Sequence, residues 1–348
     1  MTGTITLAVD AMGGDKGSLT TVEGVSLAAD RYPFVNFLVF GKEPEILKEL
    51  QKYKNLEGRV EIVHTDEVVK GEDKPSLAIR RGRKSSMGLA IASVKDGRAQ
   101  VAVSSGNTGA LMALAKITLR TMPGIDRPAL VTTLPALKKD VVMLDLGANV
   151  ECSEFNLVQF AIMGTAYART VLKIKKPEVG ILNVGIEELK GSEAVKNAAA
   201  ILRANNSLPM KFTGYVEGDR IGIGGTDVIV TDGFTGNIAI KTAEGTAKLI
   251  RELMRRAFGR SLITKLGYLF AKPGLDWIRI HLDPNTHNGA VFLGLNGLVV
   301  KSHGGASAFG FSEAIRAAVN MSKNGIIPLI KKDLENFEAP DLSIKEQS

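Results

Sequence analysis

Small polar residues and glycines occur together in loops that directly follow strand-like runs, and such loops are suited to binding anions. Residues 104–110, with the sequence SSGNTGA, follow an apolar run at 100–103 and precede a helical pattern. Free backbone N–H groups at a helix N-terminus, small residues and hydroxyls together make a site of phosphate size. We predict that Ser105, Asn107 and Thr108 donate hydrogen bonds to phosphate here. The alternative is that Asn107 or Thr108 only caps the helix.

Three further loops share this composition and this position in the chain. They are residues 10–15 (DAMGGD), 145–149 (DLGAN) and 232–237 (DGFTGN), each after a short β-branched run. Ligands of open α/β sheets bind at the carboxyl ends of strands, so we expect the four loops to line one edge of a sheet. Asp10, Asp145 and Asp232 would there position donors or a phosphate proton. Capping of the following helices is the other interpretation.

Nucleotide and metal sites have little support among the motifs. Residues 222–227 (GIGGTD) resemble a dinucleotide fingerprint but precede a strand and lack its last glycine, so a turn is predicted. Residues 236–242 (GNIAIKT) carry lysine where a P-loop needs its second glycine. The 4 histidines are scattered, and we predict no metal and no cofactor. His303 lies in a glycine-rich loop after a predicted strand, where a substrate contact and a structural cap are both open.

The single cysteine, Cys152, lies near the start of the helix that is predicted after residues 145–149. A helix N-terminus there would lower the pKa of the thiol and permit an acyl-cysteine intermediate, whereas packing is the ordinary role of a lone cysteine. No histidine lies near it in the sequence. If phosphate bound at residues 104–110 is itself the nucleophile, no covalent intermediate on Cys152 is needed.

The elements that must position these loops alternate between strand and helix. This alternation predicts an α/β fold with three layers, α/β/α, and a mainly parallel, doubly wound sheet. Residues 1–334 are expected to form one large unit with a helical excursion at about 248–288, and residues 335–348 a frayed polar tail. Predicted strands occupy residues 5–9, 36–40, 60–64, 100–103, 130–133, 141–144, 179–183, 211–216, 227–231 and 298–301, and predicted helices include 108–119, 154–171, 192–204 and 238–257.

Composition and charge narrow the location and the class of partner. With 348 residues, 45% of them hydrophobic, the chain can bury a large core. The N-terminus lacks the pattern of a signal peptide and no run is apolar enough to span a membrane, which predicts a cytoplasmic protein. The net charge of +7 favours nucleic acid, an anionic membrane or an acidic carrier protein as partner. Nucleic acid is the weakest of these because no recognition signature occurs.

Two segments are candidates for such contacts. Arg80, Arg81 and Arg83 are predicted to contact a carrier protein, with a solvated helix face as the alternative. In the helical excursion, apolar residues at helical spacing are bordered by arginines and lysines, which is typical of a helix at a membrane interface. We predict peripheral contact with an anionic membrane and a helix break at residues 272–274; a dimer contact or core packing is the alternative. The predicted membrane contacts are Leu262, Leu266, Leu269, Phe270 and Trp277.

The polar loops, taken in order with other short motifs, resemble the PlsX family of bacterial phosphate acyltransferases. Each motif alone is weak, but the ordered set is specific and covers nearly the whole chain. The motifs are VDAMGGD at 9–15, SGNTGALMA at 105–113, DLGAN at 145–149, LNVG at 182–185, KG at 190–191, VEG at 216–218, DGF at 232–234, GLNG at 294–297 and KSHG at 301–304.

The resemblance implies transfer of an acyl group from the thioester of an acyl carrier protein (ACP) to inorganic phosphate, without metal or nucleotide. It also implies a homodimer, a fold like that of isopropylmalate dehydrogenases and phosphotransacetylases, and a membrane glycerol-3-phosphate acyltransferase that uses the acyl phosphate for phospholipid synthesis. Two alternatives stay open: a nicotinamide-dependent decarboxylating dehydrogenase of similar fold, and a non-enzymatic scaffold that binds acyl carrier.

In the mechanism expected on this basis, phosphate attacks the thioester carbon directly while N–H groups and Lys190 stabilise the oxyanion. A solvated lysine is the other interpretation of Lys190. Asp232 and Asn107 complete the predicted catalytic residues. The predicted phosphate or substrate contacts are Asp10, Gly13, Gly14, Asp15, Ser104, Ser105, Gly106, Asn107, Thr108, Gly109, Asp145, Asn149, Asn183, Asn237, Lys301, His303 and Gly304.

Overall fold

The computed structural model describes residues 4–73 and 75–337, which form one sheet of 11 strands with helices on both faces. The strands are β1 (Ile5–Asp10), β2 (Val35–Gly41), β3 (Val60–His64), β4 (Val101–Ser104), β5 (Ala129–Leu134), β6 (Val141–Leu144), β7 (Glu178–Leu182), β8 (Lys211–Val216), β9 (Val228–Val230), β10 (Ala290–Leu293) and β11 (Leu298–Lys301). The helices are α1 (Ser18–Arg31), α2 (Glu43–Leu50), α3 (Pro75–Arg81), α4 (Ser86–Lys95), α5 (Thr108–Leu119), α6 (Glu154–Val171), α7 (Glu193–Ala204), α8 (Gly233–Gly259), α9 (Leu262–His281), α10 (Ala308–Lys323) and α11 (Ile326–Glu335). All strands except β10 were predicted to within one residue at either end.

Strand direction changes within the sheet, and this change separates the polar loops into two groups. The order is β3-β2-β1-β4-β11-β10-β5-β6-β9-β7-β8, and neighbours are parallel except for β11–β10, β10–β5 and β5–β6. β1 and β4 therefore run opposite to β6 and β9. The expectation that four loops share one edge is wrong. Residues 10–15 and 104–110 lie at one edge, and residues 145–149 and 232–237 lie at the other.

The two faces of the sheet pack against different helices, as alternation along β1 shows. Leu7 and Val9 belong to a core with α1, α2, α6, α7, α10 and α11, whereas Ala8 belongs to a second core with α3, α4 and α5. Side chains alternate between faces along a strand, so each face receives its own apolar set. The result is the predicted three-layer α/β/α fold. On the second face, α8 and the turn around Ile221 pack against the sheet beyond β10.

Helix α8 begins five residues before its predicted start, because the glycines of residues 232–237 belong to its first turn. Asp232 caps this helix by accepting a hydrogen bond from the Thr235 N–H at 2.8 Å. A side chain at Gly233 or Gly236 would collide with the backbone of the 145–149 loop. These glycines therefore permit close packing of a helix start against the neighbouring loop.

Helices α8 and α9 are consecutive and form a hairpin, hereafter the α8–α9 hairpin. The predicted break at residues 272–274 is wrong, because α9 continues through Pro273. Proline removes one helix hydrogen bond, and α9 has no buried residue, so the carbonyl that it frees is open to water. The predicted apolar stripe is exposed, with Leu262, Leu269 and Phe270 at 83%, 63% and 77%. No helix among the described residues is long and apolar enough to cross a membrane.

The C-terminal end is helical further than expected. α11 extends to Glu335, the first residue of the predicted frayed tail, and residues 338–348 of that tail lie outside the described residues. The interpretation of residues 1–334 as one unit stays a prediction. The observation in its favour is that a single sheet joins strands from β1 to β11.

Candidate active site

A row of side chains crosses the second face of the sheet near the edge where β1, β4 and β11 end. Strand register places these residues side by side, and neighbours at one register position point to the same face. The first three members are polar or charged, and the last three are small or apolar except for one hydroxyl. In spatial order this cross-strand row is Asp10, Ser104, Lys301, Ala290, Thr132 and Met143.

Hydrogen bonds hold the loops at the polar end of the row close together. The buried Ser104 hydroxyl donates to Asp10 Oδ2 at 2.6 Å and accepts from the Gly106 N–H at 3.0 Å. A Cβ atom at Gly13 would lie 2.7 Å from both Asp10 Oδ2 and the Gly106 nitrogen, so the 10–15 and 104–110 loops pack without side chains between them. The Asp15 N–H donates to the Gly304 carbonyl at 3.0 Å. The loops after β1, β4 and β11 therefore form one cluster.

The N-terminus of α5 offers free donors beside Asn107, which caps the helix. Asn107 caps the helix by accepting from the Ala110 N–H at 2.9 Å, and its amide donates to the Gly71 carbonyl at 2.6 Å. The side-chain oxygen therefore caps α5, as the capping alternative predicts, while one of the two amide N–H donors has no partner in these bonds. The hydroxyls of Ser105 and Thr108 have no hydrogen-bond partner within residues 4–73 and 75–337. These hydroxyls and the first N–H groups of α5 remain available to an anion.

Lys301 is half-buried at the centre of the cross-strand row. Its Nζ donates to the Ser105 carbonyl at 3.4 Å and to the Ser302 carbonyl. Burial, and then the charge of Lys241 on α8, lower the pKa of Lys301 to about 8. Burial and Lys241 also lower the pKa of His303, whose Nδ1 accepts from the Gly305 N–H at 3.1 Å. Basic groups from β11, from the loop after it and from α8 therefore converge at the polar end of the row, and burial disfavours the charged forms of two of them.

An open groove of about 1370 Å³ runs from this cluster along the sheet beneath α8. Thr108, Lys301 and His303 line its polar end, and Lys241 faces them from α8. The remainder is mainly apolar, because the sheet contributes the small or apolar half of the row and α8 contributes alanines and isoleucines. The apolar lining includes Leu130, Leu134, Met143, Leu146, Ile221, Ile238, Ala239, Ile240, Ala243 and Ala247.

Known proteins resemble this chain over nearly its whole length. The family model described as fatty acid synthesis protein matches residues 5–329. A phosphate acyltransferase from Paramagnetospirillum magneticum is 50% identical over 343 residues, which are 99% of this chain and 97% of that protein. One from Parvibaculum lavamentivorans is 52% identical over 338 residues, which are 97% and 93% of the two chains.

The chain belongs to the phosphate acyltransferase family. It is therefore an acyltransferase, as the sequence predicted. Two solved structures show a similar fold. A phosphotransacetylase from Streptococcus pyogenes has a TM-score of 0.59 at 18% identity, covering 93% of this chain and 94% of that one. A putative 4-hydroxythreonine-4-phosphate dehydrogenase from Salmonella typhimurium has a TM-score of 0.51 at 15% identity, covering 92% and 100%.

In this phosphate acyltransferase, the aspartates of the opposite sheet edge are used within the fold. Asp145 is fully buried, and its two oxygens accept from the N–H groups of Leu130, Ala148 and Asn149 and from the Asn149 amide. Burial raises the pKa of Asp145, against these hydrogen bonds. Asp232 is occupied as the cap of α8. Asp232 thus follows the capping interpretation, whereas Asp145 ties its own loop to β5 and caps no helix, because α6 is capped by Ser153. The catalytic role of Asp232 stays a prediction.

The three asparagines predicted as substrate contacts at that edge differ in whether they line the groove and in whether their side chains are already hydrogen-bonded. Asn237 lies against Gly147 and lines the groove, so it stays a candidate substrate contact. Asn183 also lines the groove, but its amide donates to the carbonyls of Gly185 and Lys190. Asn149 donates to the Pro128 carbonyl at 2.8 Å. Of these residues, Asn237 alone has no side-chain hydrogen bond within the described part of the chain.

Lys190 lies outside the lining of the groove. Its Nζ is 2.8 Å from Glu187 Oε1, and this hydrogen bond raises the pKa of the exposed lysine. An exposed lysine paired with a neighbouring glutamate is what the alternative of a solvated lysine predicts. The catalytic role of Lys190 stays a prediction. Lys301 is the lysine that the fold brings to the loop cluster.

The groove also contains residues that the sequence analysis missed. Ala290 was missed because β10 itself was not predicted, and Thr132 and Met143 because a strand pattern does not show which residues face a ligand. Lys241 was assigned only to a failed P-loop match. One available signal was the spacing of Ala239, Ala243 and Ala247, which places small residues on one face of α8 and leaves space beside the sheet.

Cys152 does not have the properties of a nucleophile. The half-buried thiol lies beside a smaller cavity of about 470 Å³ at the opposite edge. Burial, followed by the charges of Asp145 and Asp232, raises the pKa of Cys152 to about 12. The suggestion that a helix N-terminus lowers this pKa is therefore wrong, because burial outweighs the helix.

Cys152→Ala should retain most of the acyltransferase activity, since the thiolate needed for attack does not form near neutral pH. Steady-state kinetics of the variant and the wild type should both show sequential patterns, and no acyl group should stay on the denatured protein. Ping-pong kinetics in the wild type, together with loss of activity in Cys152→Ala, would instead assign an acyl-cysteine intermediate.

Proposed function

We propose that this phosphate acyltransferase moves an acyl group from the ACP thioester to inorganic phosphate and releases acyl phosphate and the ACP thiol. A membrane glycerol-3-phosphate acyltransferase would then use the acyl phosphate for phospholipid synthesis. The observation that carries this proposal is the cross-strand row, which joins an anion-binding end to an apolar groove. No cofactor is required, because phosphate is itself the nucleophile.

Phosphate would occupy the polar end of the groove. The hydroxyls of Ser105 and Thr108 and the first N–H groups of α5 are free to donate, Lys241 supplies positive charge, and the amine of Lys301 lies beside them. Hydrogen bonds between charged partners are about twice as strong as neutral ones. This donor set does not depend on Asn107, whose side-chain oxygen caps the helix. Asp10 would act through Ser104, by fixing the loop that presents these donors.

The acyl chain would extend over the small and apolar half of the row. With the chain lying on Ala290, Thr132 and Met143, the thioester carbonyl would sit beside Lys301, at the junction of the two halves. A nucleophile and an acyl carbon held in adjacent sites react as if at very high concentration, which accounts for a large share of the barrier reduction. The apolar lining of the groove thus supports a fatty acyl substrate.

The basic segment around α3 flanks this site. Arg80, Arg81 and Arg83 are exposed, and Gly71, in the preceding segment, accepts the hydrogen bond from Asn107 at the phosphate loop. We propose this segment as the docking surface for the acidic ACP. Exposed charges of this kind steer association, and salt screens their effect.

Arg80→Glu combined with Arg83→Glu should raise the KM for acyl-ACP about tenfold at low ionic strength and leave the KM for phosphate unchanged. The difference from wild type should shrink as salt is added. Lys175→Glu combined with Lys176→Glu makes the same charge change on exposed residues near β7, in the other half of the sheet, and should leave both constants unchanged. An effect on the phosphate KM alone, or an equal effect of both double variants, would contradict the docking assignment.

The reaction itself is tested with acyl-ACP and phosphate. Addition of phosphate should release free ACP thiol and form an acyl phosphate that hydroxylamine traps as the hydroxamate. A scaffold would bind acyl-ACP without releasing thiol. A dehydrogenase would instead change the absorbance of a nicotinamide cofactor with a hydroxy acid substrate. Absence of thiol release from the folded wild-type protein would reject the proposed function.

A further inference from the structure

We propose that Lys301 is a catalytic residue that carries the proton of the attacking phosphate to the sulfur of the departing thiol. This inference rests on the proposed function. It adds a route by which the proton of phosphate reaches the departing sulfur. The polar loops alone provide no group that could carry this proton.

The position of Lys301 is the first reason for this assignment. It ends β11 between Ser104 and Ala290, where the phosphate end of the groove meets the acyl end. The carbonyls of Ser105 and Ser302 hold its Nζ from one side, which leaves the third hydrogen-bonding direction of the amine for a substrate. Within residues 4–73 and 75–337, no carboxylate forms an ion pair with it. Lys301 thus differs from Lys139, Lys190 and Lys241, which all have carboxylate partners.

The charges around Lys301 are the second reason. Burial and the facing Lys241 favour the neutral amine, whereas Asp10 and Asp15 from the β1 loop favour the charged form, and the balance lowers the pKa to about 8. His303 lies in the loop that follows Lys301, and burial lowers the pKa of His303 below the usual value of a histidine. The other charged groups that act on His303 are Glu244 and Lys248 of α8.

The proposed step conserves atoms and charge. An unprotonated oxygen of monohydrogen phosphate forms a bond to the thioester carbon, and the C–S bond breaks with its electron pair on sulfur. The P–OH proton, which becomes more acidic when the acyl group is attached, moves to the neutral Nζ of Lys301. The resulting ammonium donates this proton to the thiolate, so acyl phosphate dianion and free thiol are formed and Lys301 is again neutral.

A lysine suits this transfer when its proton affinity lies near that of the thiol. An unperturbed lysine has a pKa of about 10.4 and an unperturbed thiol one of about 8.5. A neutral lysine is scarce at neutral pH unless its surroundings lower the pKa. Positioned proton transfer contributes roughly a hundredfold or more to the rate, and most when the pKa of the group lies near the working pH.

Lys301→Arg tests the proton transfer, since arginine keeps hydrogen-bond donors at this position but does not deprotonate in this range. We expect kcat to fall about a hundredfold, with little change in the KM for phosphate. In wild type, kcat should rise with pH through about 8, and this limb should be absent in the variant. Lys211→Arg, at an exposed lysine paired with Glu178, is the matched control and should leave kcat and the pH profile unchanged.

Lys301→Gln provides a second test that does not depend on fitting arginine into the groove. Small primary amines in the buffer should restore part of its kcat, and most for amines whose pKa lies near the working pH. If Lys301→Arg keeps the wild-type kcat and pH limb, or if either variant changes only the KM for phosphate, Lys301 binds phosphate without transferring the proton. A folded Lys301→Gln variant that amines do not rescue would also overturn the proposal. An active wild type in any of these cases would leave the proposed function intact.

Discussion

Ala290→Phe should lower kcat/KM for a palmitoyl thioester about a hundredfold and change that for a butyryl thioester little. Ala290 lies next to Lys301 in the cross-strand row and faces the groove beneath α8. A phenyl ring there would occupy the path of a long chain beyond its first carbons. Excluding about four methylenes from an apolar site costs about 3 kcal/mol at roughly 0.8 kcal/mol each, which is about a hundredfold in kcat/KM.

The measurement is kcat/KM across a series of chain lengths on one carrier. Ala200→Phe makes the same substitution on an exposed position of α7, outside the groove lining, and should preserve the wild-type profile. Ala290→Leu should give a smaller loss at the same chain lengths and allows for failure of the larger variant to fold. A uniform loss for all chain lengths in a folded variant would place the acyl chain elsewhere.

Leu269→Glu combined with Phe270→Glu should abolish flotation with anionic liposomes, which the wild type should show. Both residues lie on α9 and are 63% and 77% exposed. An apolar stripe with a basic border binds at the interface of anionic membranes, and each buried apolar side chain contributes about 1.5–3 kcal/mol. Two charged replacements therefore remove most of the affinity. Such contact would deliver a hydrophobic acyl phosphate to the membrane acyltransferase.

The alternative is that the apolar stripe on α9 forms a homodimer contact. The flotation experiment distinguishes this dimer contact from membrane contact. Leu19→Glu combined with Leu47→Glu introduces the same charges at exposed leucines of α1 and α2, away from the α8–α9 hairpin, and should not affect flotation. We propose a homodimer that presents two hairpins, so the α9 variant should remain dimeric and active on soluble substrates. If the variant dissociates into monomers, or if the wild type stays with the unbound fraction, the stripe is structural.

The elements could be predicted from the sequence, but their relative directions could not. Apolar runs and glycine loops are local signals. The sequence therefore predicted β1, β4 and the loops after them, and it predicted that these two loops lie at the same edge of the sheet. The reversal between β4 and β6 depends on β10, whose residues Ala290 to Leu293 are few and follow a helical region. Without β10, the loops at Asp145 and Asp232 were expected at the wrong edge.

Residue roles were harder to predict than residue positions. Asp232 and Asn107 have the composition of a binding loop, yet both are helix caps, because capping and anion binding use the same residue types at the same place in the chain. In the sequence, Lys190 precedes a glycine and Lys301 begins the motif KSHG, so both lysines are equally plausible site residues. Only the fold shows that Lys190 pairs with Glu187, whereas Lys301 is half-buried between two neighbouring strands.

The central place of β10 and β11 has a consequence for how the chain is made. These two strands come late in the sequence, but they join the half-sheet of β1–β4 to the half-sheet of β5–β9. Until they emerge from the ribosome, both halves would have unpaired inner edges, which are prone to pair with other chains. The proposed catalytic lysine is the last residue of β11. Truncated products of translation that end before it would therefore be unable to make acyl phosphate, however well their earlier strands had folded.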